Sequence, residues 1–159
     1  MLKRFSFRLD TVLRHRANIR DLREREFADV EAQLVREEQV LSEFIRLQAE
    51  MLESLADLQA SGFESIEREL YTQYLSWLSS EIGRQRQAIA DIRVLLEQKR
   101  AELVKALQEH RIAERLKERQ YEGYMKEVER ANQNVLDEIA GGAHVRGVRI
   151  MGATAGGGS

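Results

Sequence analysis

Residues 27–58 read FADVEAQLVREEQVLSEFIRLQAEMLESLADL, and their spacing decides the fold. Steps of three and four from Phe27 reach Val30, Leu34, Glu37, Leu41, Phe44, Gln48, Met51, Leu55 and Leu58, and eight of these ten positions are apolar. An apolar residue every 3.5 positions marks the seam of a coiled-coil helix. A second stretch repeats the pattern through Leu75, Leu78, Ile82, Gln85, Ile89, Ile92, Leu96, Lys99, Leu103, Ala106, His110 and Ala113, with nine of twelve positions apolar. Beyond it the phase slips through Ile112 and Leu116 to Tyr121, Tyr124, Val128, Ala131 and Val135. Toward the N-terminus the stripe shifts to Leu9, Val12, Ile19 and Leu22, as at a stutter.

Between the two seams lies Ala60-Ser61-Gly62-Phe63-Glu64-Ser65. Ser61 and Glu64 have capping-box spacing, and Ser65 is a second N-cap candidate. The spacing therefore predicts helices over about 8–60 and 65–139, joined by a turn at 61–64. At roughly 1.5 Å per residue these helices would run about 80 and 110 Å. The expected fold is all-α: a long antiparallel two-helix coiled-coil hairpin over residues 1–140. Residue 9 would then lie opposite about residue 116, leaving roughly twenty residues of the second helix as an overhang by that register. Tyr121, Tyr124, Met125, Val128 and Val135 would have no partner within the chain. Seven of the ten glycines fall after residue 140, so Gly141-Gly142 reads as a helix stop and 141–159 as a flexible tail.

Composition agrees with long helices. The 159 residues include no proline and no cysteine, 33% are charged and 6% aromatic. Absent cysteine excludes disulfides, thiolate metal sites and a cysteine nucleophile. A net charge of −2 argues against general nucleic-acid binding. No apolar run approaches the roughly 18 residues of a membrane span. Met1–Arg8 lacks the apolar core of a signal peptide, so the expected compartment is the cytoplasm. His15, His110 and His144 are scattered, and no phosphate loop is present. No catalytic, metal or cofactor set emerges, and a non-enzymatic protein without a small-molecule substrate is expected. His110, on a seam, reads as a packing or register residue.

Two features ask for more than packing. Residues 1–25 hold eight Lys/Arg against three acids, a local charge of +5. Phe44, Phe63, Tyr71, Tyr74 and Trp77 gather on either side of the turn, as core or as an exposed contact patch.

The opening Phe5-x-Phe7-x-Leu9-x-x-Val12-Leu13-x-x-Arg16 resembles that of FliJ, a flagellar type III export component. Tyr71-x-x-Tyr74-Leu75-x-x-Leu78-x-x-x-Ile82 and Glu114-Arg115-Leu116-x-x-Arg119 with Tyr124 are similar to the family as well, so the resemblance spans about 3–139. It implies a stalk that bridges the hexameric export ATPase, with its regulator, and the cytoplasmic domain of the membrane export gate. Export chaperones are further partners it implies. The site would be cytoplasmic, at the inner face of the membrane at the flagellar base. A structural homodimeric coiled-coil adaptor with unrelated partners is the alternative. By the resemblance, the gate-facing stripe falls on Val40, Phe44, Leu47, Met51, Tyr74, Leu78, Glu81 and Gln85. Phe44, Met51 and Leu78 are equally seam positions. The ATPase-facing end would combine Phe5, Phe7, Leu9, Val12, Tyr124 and Val128 as apolar anchors with Arg8, Arg14 and Arg16 steering toward an acidic lining.

Overall fold

A computed structural model describes residues 2–62 and 65–154. Two helices account for nearly all of them: α1, Asp10–Ser61, and α2, Ser65–Thr154. Among the described residues there is no strand. Gly62 ends α1 with φ +70°, a left-handed conformation that a residue without Cβ adopts freely. Ser61 does not cap α2. It is the last residue of α1, and its hydroxyl donates back to the carbonyls of Asp57 and Leu58. Phe63 and Glu64, the rest of the expected turn and capping box, lie outside the described residues.

The chain divides into two compact units, residues 15–110 and residues 1–14 with 111–159. In the first, the two predicted seams pack on each other. Leu78, Ile82, Ile89, Ile92, Leu96 and Ala106 are buried, and Val30, Ile92 and Leu96 form a cluster against which Phe27 and Leu34 pack. The pairing is antiparallel and keeps heptad step. Arg16 meets Glu109 at 2.6 Å; seven residues on in α1 and seven back in α2, Arg23 meets Glu102 at 3.3 Å. Every polar exception to the heptads has a partner across the seam. Gln85 donates to the Glu37 carbonyl at 3.0 Å and to its carboxylate, Gln48 to Ser79 at 3.1 Å, and Lys99 pairs with Glu26 at 3.4 Å. Buried His110 lies 3.5 Å from Arg20 through Nδ1. Polar residues at seam positions fix register because slipping would strand them.

In the second unit, residues 2–7 precede α1 without helical structure, and Asp10 N–H closes a turn on the Phe7 carbonyl at 3.1 Å. This segment corrects the expected overhang. The Phe5 ring meets Tyr121 at 5.1 Å and Tyr124 at 5.5 Å, so these tyrosines have an intramolecular partner. Non-helical backbone advances up to about 3.3 Å per residue against 1.5 Å in a helix, so a few residues reach further along α2 than a helical register allows.

The expected stop at Gly141-Gly142 is also corrected: α2 continues through both to Thr154. Neither glycine takes the positive φ of a helix-ending cap. Each costs about 1 kcal/mol relative to Ala in an exposed helix, a penalty that weakens but does not forbid it. Val135, Leu136, Ile139, Val145 and Val148 in this last part of α2 are exposed.

Candidate functional site

Within residues 15–110, one face of α1 carries Arg36, Gln39, Val40, Glu43, Phe44 and Leu47, which line a shallow open groove. Their spacing of three and four places all six on one side of the helix. Phe44 reaches across to α2, where its ring meets Trp77 edge-on at 6.4 Å, and Tyr74 stacks on Trp77 at 5.7 Å. Trp77 remains 50% exposed. Arg46 donates to both Glu43 oxygens, at 3.0 and 2.8 Å, and bonds Glu50 as well. The hydrogen bond from Arg46, then its charge, holds the Glu43 carboxyl below the usual glutamate range, and the same contact raises Arg46. A partly exposed aromatic cluster beside a charged rim is the composition of a protein-binding surface.

The gate-facing stripe expected from the sequence separates on this geometry. Val40, Phe44 and Leu47 come together in the groove wall, and Tyr74 lies beside them through Trp77. Met51 is half-buried. Leu78 is 0% exposed, so as a surface contact it is corrected: it packs the seam. Gln85 is committed to Glu37, and Glu81 to Arg84 at 2.9 Å. Arg36, Gln39, Glu43 and Trp77 belong to the surface although the stripe omitted them. Steps of four from Val40 to Arg36 and Phe44 were the signal for the first.

Residues 1–14 and 111–159 hold most of the second expected set. Phe5, Tyr121 and Tyr124 form an aromatic triangle, the two tyrosines 6.4 Å apart. Phe7 is buried, with the Lys117 ammonium 6.0 Å above its ring, so it anchors the segment internally and is corrected as a direct contact. Lys117 also pairs with Asp10 at 3.3 Å, and Arg14 with the other Asp10 oxygen at 3.3 Å. Leu9 and Val12 are exposed, and Val128 is half-buried. Of the three arginines expected to steer, Arg8 is exposed and without a carboxylate partner among the described residues. Arg16 falls in the other unit, bound to Glu109.

Among the described residues no three or more His, Asp or Glu side chains are placed to hold a metal ion. Nor, among them, is any helix long and apolar enough to cross a membrane.

Comparison with known proteins gives one positive finding: the model of the FliJ family, described as flagellar FliJ protein, matches residues 5–149. No curated protein and no solved structure matches the chain.

Proposed function

Because this chain belongs to the FliJ family of flagellar export-associated proteins, we propose that it couples two parts of the export apparatus: the ATPase ring and the cytoplasmic domain of the membrane export gate. The observation that carries the gate assignment is the groove of Val40, Phe44 and Leu47 beside Tyr74 and half-exposed Trp77. Such a surface binds by burying a few aromatic and aliphatic anchors inside a polar rim. Its charged rim, Glu43 clamped by Arg46, would set orientation and contribute little energy.

The ATPase end is assigned to the unit containing Phe5, Leu9, Val12, Tyr124 and Val128, with Arg8 as the cation available for steering. Phe7 and Asp10 support it by holding the N-terminal segment on α2. The ATPase regulator and export chaperones are further partners in this reading, and the work site is the cytoplasmic face of the membrane at the flagellar base. The protein performs no chemistry of its own in this scheme.

Substituting Leu47→Ala with Tyr74→Ala tests the gate assignment. Loss of one hot-spot anchor costs about 2 kcal/mol, roughly a thirtyfold weaker complex. Gate-domain binding by titration calorimetry should fall by at least that factor with helicity unchanged; equal binding by wild type and double variant would refute the assignment.

A further inference from the structure

In the last part of α2 the heptad spacing continues, and among the described residues its valines stay exposed. Continuing the steps of four and three from Tyr121 and Tyr124 gives Val128, Ala131, Val135, Glu138, Gly142, Val145, Arg149 and Gly152. Val135 is 54% exposed and Val145 is 64% exposed. His144, Val145, Val148, Arg149 and Gly152 line an open groove. Positions 145, 148, 149 and 152 stand at i, i+3, i+4 and i+7, the four residues that form a hole for a coiled-coil knob. Glycines at 141, 142, 147 and 152 disfavour an exposed, unpartnered helix, so packing against a partner would stabilise this segment.

We propose that residues 135–152 pair antiparallel with the same segment of a second copy of this chain. Antiparallel coiled coils set one seam position against the other kind on the facing helix. With Glu138 against Arg149, the neighbouring layers become Gly142 against Val145 and Val135 against Gly152. Each layer occurs twice by two-fold symmetry, as an isologous interface requires. Both valines then face a glycine, and the two seam charges neutralise each other. Parallel pairing is disfavoured on the same residues. It would set Glu138 against Glu138, Arg149 against Arg149, and glycine against glycine, leaving like charges and voids in the seam. Charge and volume complementarity thus select both the occupant and its direction. This interface is separate from the groove at Val40–Leu47 and does not depend on the proposed function.

Sedimentation equilibrium of the full chain, up to about 100 µM, reads the pairing. Wild type should form a reversible dimer. Glu138→Arg alone, and Arg149→Glu alone, should each weaken it roughly tenfold or more by placing like charges together in the seam. Two restorations should follow. The double variant E138R/R149E should dimerise like wild type, and an equimolar mixture of the two single variants should recover association as a mixed dimer. Circular dichroism of each variant checks that the helices of residues 15–110 persist. A monomer at all concentrations overturns the proposal. So does a dimer indifferent to the single reversals, or one that neither the double variant nor the mixture restores.

Discussion

Two stretches of α2 follow the same 3.5-residue spacing and meet opposite fates. Between Leu78 and Ala106 the seam is buried against α1, down to 0% exposure at Leu78; between Val135 and Val148 the apolar side chains stand in solvent. The period therefore identifies a surface built to pack, and only the available partner decides whether it does. In the first stretch even the interruptions are answered, Gln85 by Glu37 and Lys99 by Glu26. In the second, Glu138 and Arg149 sit at seam positions with no such answer from α1.

The largest expected effect that separates the stretches is a cavity. Leu78→Ala should lower unfolding stability by about 2–3 kcal/mol, since buried leucines lose both transfer energy and packing. Val135→Ala at high dilution should change it by less than about 0.5 kcal/mol, as exposed substitutions do. Thermal melts followed by circular dichroism compare the two directly. Similar losses would mean that the second stretch is packed after all.

A smaller effect sharpens the contrast from the other side. Gly142→Ala should favour local helix by about 1 kcal/mol, visible as slower amide exchange over 141–152. The backbone at Gly142 is ordinary helix, and an added Cβ would meet only the Arg146 guanidinium at 3.8 Å. The same experiment should leave exchange across residues 78–106 unchanged.

The smallest effect is acid sensitivity of the paired stretch. A hydrogen bond from Arg23, then the charges of Arg23 and Lys99, hold the Glu26 carboxyl below the usual glutamate range against the opposing pull of desolvation. A depressed folded value means the stabilisation is complete above the ordinary glutamate pKa and is lost as pH falls through the folded one. Melting temperature should therefore slip modestly below about pH 4.5. Glu26→Gln should reduce that slope, and an unaltered slope would assign it to other carboxylates such as Glu43.

The sequence was most informative where one rule acted alone. The seams from Phe27 and Leu75 and the break at Gly62 followed from apolar spacing and a single left-handed glycine. Boundaries set by competition were less legible. Gly141-Gly142 looked like a stop because propensity disfavours glycine, yet flanking helix-compatible residues carry α2 through. The reach of Phe5 to Tyr121 and Tyr124 was hidden because spacing rules measure helices and say nothing of a non-helical lead-in. At the candidate groove, period 3.5 could not separate Leu47, which lines the surface, from Leu78, which fills the seam. That distinction depends on which flank of each helix the partner helix leaves open.

The proposed coupling role rests on two surfaces working at once, and one measurement addresses it directly. The full chain, the cognate export ATPase and the gate cytoplasmic domain are mixed, and complexes are resolved by multi-angle light scattering after size exclusion. A ternary complex should form with wild type. With L47A/Y74A it should collapse to chain plus ATPase, while Arg8→Glu should slow ATPase association most at low salt and leave gate binding intact. Mutually exclusive binding of ATPase and gate domain, with no ternary species at any ratio, would contradict a protein that couples the two.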